Sequence, residues 1–552
     1  MIRGALRRVG AALPALLPTA LAFASHAPAL EGRFLWLDHA HIEQRLAIAE
    51  PRAFASLFTQ GFAETGYYRP LVALTLSIDA IFEEPWVFHV GNLLWHALAS
   101  QALFALAQRI GSTRRAALAA ACLFAVHPAT SIVADAIAFR SESMALLAIL
   151  LAVLGAARAR PVLAGLAILG GALTKETALV LGPLFVLAYE GARARAEGLR
   201  PRLQKSAPLL VSIVVATLSA LCLRLRYAPP FRATHSALDP SAAIGMRLSS
   251  FARLARAALV PAPSSVCDAV PIEGVGSRLS IAGVLVALGL IAVVVQRVRA
   301  AARPGGSAPL AVLYLALGVL PALQIVPVMR WWSIHYAYTP LAFALVVVCD
   351  AVGGLERLGD RAKGACVSLA VTALGVVSAL DARRFHDDVT LFTPEVTGTD
   401  ACREAFFYLA EDARARRSFA LAAERYEIAL ADRPGYLAYV DRSAAVQNLG
   451  IARRNAGDLD GARAAFREGL AHAPSESARR ALVHDLAAVS LEAGDARAAF
   501  DLLEPELARD DVASETLVVA AAAARALGFA ATEHDLRERL DRRGWKDPRG
   551  DR

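Results

Sequence analysis

Apolar runs of near-spanning length recur from the start of the chain to about residue 381, separated by short polar or basic stretches. Their pattern predicts membrane helices near 10–30, 86–108, 116–134, 142–157, 161–174, 177–190, 207–224, 280–297, 309–327, 337–351 and 365–381. A crossing helix needs about 20 apolar residues, and several of these runs are shorter, so their edges are soft. Two stretches do not read as spans. Arg69–Phe82 is short and interrupted by Asp79, which predicts an interfacial or re-entrant helix. Ala243–Pro261 carries Arg247, Arg253 and Arg256. A central Arg costs about 2.5–3.5 kcal/mol even on the lenient insertion scale, so this stretch is expected on the outer interface as an amphipathic helix. The expected fold is all-α, with about eleven transmembrane helices.

Past Asp381 the apolar runs give way to Ala, Arg and Glu at helical period, which divides the chain into a membrane-embedded domain at 1–381, a linker at 382–400 and a second helical domain at 401–552. Within the last, QNLGIARRNAGDLDGARAAFREGLAHAP (Gln447 to Pro474) fits a tetratricopeptide unit. Leu449 and Gly450 open its first helix, Gly457 makes the turn, Ala462 and Phe466 lie on the second helix, and Pro474 ends it. The plan recurs upstream through Leu409, Ala422, Tyr426, Ala429 and Pro434, and more loosely downstream through Leu486, Gly494, Asp495, Ala499 and Leu503. The spacing runs a few residues above the usual length of about 34. Small residues let such helices approach while Leu, Phe and Tyr fill the seam, and three or four units make an α-solenoid with a concave surface.

Composition agrees: the chain is 56% hydrophobic with a mean hydropathy of +0.45. Its net charge of +8 comes largely from Arg and Lys in short loops between apolar runs, which is where positive-inside bias places them. No basic stretch is interleaved with aromatics, so the charge does not indicate nucleic acid. The N-terminal Arg3, Arg7 and Arg8 precede the first apolar run as in an uncleaved signal anchor, leaving the N-terminus cytoplasmic. Alternation of the spans then puts Asp38 and the C-terminal repeats outside. Heavy Ala and Arg usage points to a bacterial inner membrane, with the repeats periplasmic. The six cysteines show no metal-binding spacing. Cys122, Cys222, Cys349 and Cys366 read as small core residues, and Cys267 and Cys402 fall in outer segments, where a disulfide is permitted.

On this map the unusual polar residues gather at one membrane face. FLWLDHAHIEQ places Asp38 and His39 at the mouth of the first apolar run. Arg69 opens the interfacial stretch, Arg140 and Glu142 lie in AFRSES, Lys175 and Glu176 in LTKETA, and Arg330, His335, Tyr336 and Tyr338 in MRWWSIHYAYTP. Ionisable groups near hydrocarbon are costly, so their convergence marks a site hypothesis. Each also has a structural alternative. Lys175 and Glu176 fit a turn pair, Arg140 fits a helix end, and the Trp331, Trp332, Tyr336 and Tyr338 group fits an interfacial aromatic belt. His89, Asn92 and His96 share one helix face, where interhelical hydrogen bonding suits them better than metal ligation.

The ordered set WLDH, YYRPLVALTLSID, FHVGNLLWHAL, FAVHP with AFRSES, LTKETA, LARAALVPAPSSVCDAVP, HYAYTPL and RRFHDDVTLF resembles the transmembrane and tetratricopeptide-repeat-containing protein O-mannosyltransferases of the C-type glycosyltransferase superfamily. The resemblance runs over nearly the whole chain. It implies a polyprenyl-phosphate-linked sugar as donor, entering from the membrane, and an extracytoplasmic Ser or Thr of protein as acceptor. That family carries an acidic pair in the first loop; Trp36-Leu37-Asp38-His39 keeps one acid, so the catalytic role carries over to Asp38 alone, with His39 beside it. Arg69, Arg140, Lys175 and Arg330 are the expected ligands of the donor phosphate, supported by Glu142, Glu176, His335 and Tyr338. Some members of that superfamily use a divalent metal at the first-loop acid, so the resemblance allows one beside Asp38. The repeats would hold a protein acceptor or partner. The rival readings are an inactive membrane-anchored repeat scaffold, and a transporter of lipid-linked saccharide, which would spread its ionisable groups through the membrane depth.

Overall fold

The computed structural model describes residues 16–43, 54–62, 66–228, 238–263, 265–301, 309–325, 328, 330–357 and 359–545. Arg3, Arg7, Arg8 and Ser264 lie outside the described residues, as does part of the first predicted span. The described chain is nearly all helical and forms two compact units, Met1–Leu391 and Phe392–Arg552. Extended structure is confined to two-residue pieces and the isolated Phe62–Tyr67 bridge.

Among the described residues of the first unit six helices are long and apolar enough to cross a membrane: Pro85–Arg109, Ile137–Ala157, Leu199–Tyr227, Arg278–Ala301, Ile334–Gly353 and Asp360–His386. A seventh arises if Arg114–Ala125 and Pro128–Asp135, bent by 60° across His127-Pro128, count as one broken span. These are six, or seven with the broken span, of the about eleven expected crossings. Pro161–Ala172, a 12-residue helix, and Leu310–Leu323 are shorter than a free crossing needs, and Pro70–Phe82 is the short helix expected from Arg69–Phe82. At about 1.5 Å per residue such helices cover little more than half of a hydrocarbon core. The 177–190 run sits inside Glu176–Glu197, whose last turns are charged.

Packing separates an inner from an outer layer. Val133, Leu146, Leu150, Phe185 and Phe343 are wholly buried, with Phe185 stacked on Tyr314 at 4.5 Å between centroids. By contrast Ile281, Leu285, Leu288 and Ile291 on Arg278–Ala301 are all more than half exposed. A soluble protein rarely leaves so continuous an apolar face bare, and lipid is its natural cover. The chain is a helical membrane protein. Cys122 and Cys349 are buried as expected, whereas Cys222 and Cys366 sit exposed on such outer helices.

The second unit consists, in its described residues, of successive helices that each pack on the next: Arg403–Ala415, Phe419–Leu430, Arg442–Asn455, Leu459–Ala471, Glu476–Glu492, Ala496–Leu507, Ser514–Ala526 and Ala530–Arg542. Asp441, Asp458, Ser475 and Asp495 cap four of them, each side chain accepting a first-turn N–H. Gly457 and Gly494 turn the chain at φ of 87° and 84°, a left-handed backbone that costs other residues energy. At Gly450 even a methyl group would fall 2.4 Å from the Phe466 ring, so glycine is what lets those two helices close.

Candidate functional site

The first apolar helix, Leu17–His26, continues through the turn Ala27–Glu31 and breaks at Gly32. The chain then passes Trp36 at φ 55° and makes a single helical turn, Asp38–His41. Asp38 is wholly buried there. Its Oδ2 accepts the Leu35 N–H at 3.3 Å, while Oδ1 makes no hydrogen bond among the described residues, with the Ala138 amide lending a weaker interaction. Burial pushes this carboxyl up to about 7, against the opposing pull of the Leu35 N–H and the His39 charge. The His39 ring lies between two carboxylates, Nδ1 to Glu43 Oε2 at 2.5 Å and Nε2 to Asp388 Oδ2 at 2.8 Å. Burial works against its charge, but the two carboxylates prevail and hold it up to about 10.

Beside this loop is a cluster of cations. Glu142 and Glu176 each sit in the first turn of a helix, where the helix dipole favours a carboxylate. Glu142 pairs with Lys175 and, at 3.4 Å, with His335 Nε2. Glu176 Oε2 accepts from Arg69 Nε and Nη2 at 3.1 and 2.8 Å, and its Oε1 accepts from Arg224 at 3.1 Å. Arg330 pairs with Asp268 at 3.4 Å and lies 5.4 Å from the centre of the Trp36 ring. The charges of Lys175, Arg330 and Arg69 all act on His335. Trp36 joins loop to cluster, since its ring meets Phe139 at 5.1 Å and Phe139 meets His335 at 5.0 Å. Among the described residues Arg69, Lys175, Arg224 and Arg330 gather around Glu142, Glu176 and Asp268. Basic groups held on positioned side chains suit an anion.

Two of the expected residues sit apart from that group. Arg140 is wholly buried, paired with Asp79 at 2.5 Å and donating to the Phe88 carbonyl at 2.7 Å. Tyr338 is equally buried and hydrogen-bonded to His96 Nδ1 at 2.7 Å, within a layer where His26 Nδ1 meets Asp135 Oδ1 at 2.8 Å and Asn92 donates to the Val133 and Ala134 carbonyls at 2.9 and 2.7 Å. Asn92 and His96 thus make interhelical bonds of the kind their shared helix face suggests. Sequence reasoning missed Arg224, Asp268 and Asp388. Arg224 looks like an ordinary basic helix end, and Asp268 and Asp388 meet their partners only through long-range folding. The adjacent acids of RRFHDD were the one available cue to Asp388.

Fold and cluster together describe a nearly all-α membrane protein in which ionisable groups gather at helix ends beside the loop that carries Trp36 and the buried Asp38. The comparison with known proteins points the same way. Over 121 residues, 20% of this chain, it is 30% identical to the protein O-mannosyl-transferase Tmtc1 of Drosophila melanogaster. The matched stretch spans 14% of that protein's length, so the chain is a distant relative of it. No protein-family model matches the chain, and no solved structure does.

Proposed function

We propose that this chain is a membrane glycosyltransferase that moves a sugar from a polyprenyl-phosphate donor to an extracytoplasmic acceptor, a Ser or Thr hydroxyl of protein. The observation that carries the reading is a buried carboxylate, Asp38, on a loop whose Trp36 ring meets Arg330, a member of the group that also holds Arg69 and Lys175. Transfer needs a base on the acceptor proton and positive charge on the departing phosphate, and these are the two parts present. The acceptor oxygen attacks the anomeric carbon as Asp38 takes its proton. The bond from that carbon to the phosphate oxygen breaks, and its electron pair stays on the phosphate, facing the three cations. A single displacement inverts the anomeric carbon. Glu142 and Glu176 orient the cations, and His335 fills the space between them. Arg140 and Tyr338 act from behind by fixing the helices. Among the described residues no three His, Cys, Asp or Glu side chains meet in a metal-holding group.

In this reading the second unit is a tetratricopeptide-repeat domain on the outer, periplasmic side. It offers a cavity lined by Gln447, Arg480, His484, Asp485 and Glu515 to a protein acceptor or partner. Holding the acceptor nearby raises its effective concentration without adding chemistry.

Glycopeptide occupancy in a deletion strain, alone or complemented with the intact chain or with Asp38→Ala at matched abundance, tests the reading. Glycopeptides should vanish on deletion and return only with Asp38. Return with both proteins removes Asp38 from catalysis. A phenotype that needs residues 401–552 but not Asp38 turns the chain into a scaffold.

A further inference from the structure

The acidic loop does not stand by itself. Gly32 is pressed so closely between chain segments that an added Cβ would lie 2.5 Å from the Phe385 carbonyl oxygen and 2.9 Å from His89 Nε2. One residue on, the Arg33 N–H donates to the His386 carbonyl at 2.8 Å. Asp388 then makes two contacts. Its Oδ1 accepts the Trp36 N–H at 2.7 Å across 352 residues of sequence, and its Oδ2 faces His39 Nε2 at 2.8 Å. Residues 32–39 are therefore laid along the turn Arg383–His386 and the start of the helix Asp388–Val396.

We infer that Asp388 is a positioning residue of this site, clamping the Asp38 loop through the Trp36 amide on one side of Asp38 and the His39 ring on the other. The two carboxylate oxygens divide the work. One holds the left-handed turn at Trp36, a backbone that a tryptophan adopts only under outside constraint. The other, with Glu43 on the opposite ring nitrogen, obliges His39 to keep both of its protons, since each nitrogen faces an acceptor. A fixed imidazolium then stands next to Asp38 in sequence and within range of its charge. Among the described residues the charged groups facing this pair include Glu43, Asp388 and the buried Arg140. The consequence for catalysis rests on the reading of Asp38 as the base; the clamp itself does not.

Asp388→Asn separates the two tasks. The amide oxygen can still accept the Trp36 N–H, but its NH2 meets the His39 N–H donor to donor, so the ring must shed a proton or turn away. Asp388→Ala removes both contacts. The full-length chain, purified in detergent, would be followed by hydrogen exchange over residues 33–43, with Pro85–Arg109 as an internal control. Asp388→Ala should speed loop exchange by about tenfold or more while the control helix stays protected, and Asp388→Asn should do so less. For transfer, both variants should lower kcat by about tenfold or more with donor KM changed less than about twofold, and Asp388→Glu should recover part of it. Asp388→Asn combined with His39→Gln should be no worse than the poorer single variant, because the residues act as a pair. Unchanged loop exchange in Asp388→Ala, or multiplying losses in the double variant, would overturn the clamp. Should the control helix also lose protection in Asp388→Ala, Asp388→Asn decides through the same loop exchange. Transfer that ignores Asp38→Asn overturns the glycosyltransfer reading and leaves the exchange result to judge the clamp.

Discussion

Two buried polar regions lie close together in the first unit and are built differently. Around Glu142 and Glu176 the basic groups Arg69, Lys175, Arg224 and Arg330 gather without one-to-one pairing among the described residues, and Asp38 keeps one oxygen without a hydrogen bond among them. Behind them, around Arg140 and His96, charges and rings are matched one to one: Arg140 with Asp79, His26 with Asp135, His96 with Tyr338. The matched layer fixes helices, whereas in the unmatched group Glu176 serves both Arg69 and Arg224, a gathering of basic side chains that suits an anion from outside. Burial alone distinguishes neither; Arg140 and Asp38 are equally enclosed.

The contrast breaks most visibly at Arg140. Removing one partner of a buried ion pair costs about 3–5 kcal/mol, so Arg140→Ala should sharply lower the melting temperature of the detergent-purified chain. If it melts normally and only donor binding suffers, Arg140 belongs to the unmatched group. Arg69→Ala and Lys175→Ala should each weaken donor affinity by about 1.5–3 kcal/mol, the range for a hydrogen bond to a charged group, and the loss should shrink at high salt. Equal affinity in the variants would return both residues to a structural role. Tyr338→Phe removes one buried hydrogen bond and strands the His96 nitrogen, for about 1–3 kcal/mol of stability with donor affinity unchanged. A change in donor affinity would place Tyr338 in the site after all.

A subtler difference concerns pH. With its carboxyl raised to about 7 by burial, Asp38 is a base only when ionised, so transfer should rise about tenfold per unit below pH 7 and level off above it. Stability runs the other way. The folded state holds the Asp38 proton more tightly than the unfolded chain, so the contribution present below the ordinary carboxylate range is lost as pH rises towards 7. Asp38→Asn should accordingly melt no lower than the intact chain at pH 8. A flat pH profile between 5 and 8 would contradict the assignment.

Much of the unmatched group was legible in the sequence. Asp38, Arg69, Glu142, Lys175, Glu176 and Arg330 are ionisable residues at the edges of apolar runs, and membrane energetics alone singles them out. Their partners were not. Arg69 meets Glu176 across 107 residues and Ser378 meets Val126 across 252, and no local periodicity encodes such meetings. For the same reason the sequence neighbours of Arg140 do not show Asp79 opposite it. Helix length failed differently. A run of apolar residues reports burial in protein or lipid but not where the chain turns, so Pro161–Ala172 and the bend at His127-Pro128 were read as full crossings.

The most direct test is single-turnover transfer by the full chain reconstituted in vesicles with polyprenyl-phosphate sugars and a Ser/Thr peptide, comparing the intact protein with Asp38→Asn. The substitution keeps shape and removes the base. A rate about 100- to 10,000-fold lower with donor binding preserved is the predicted result. Transfer by Asp38→Asn at the rate of the intact protein would contradict it.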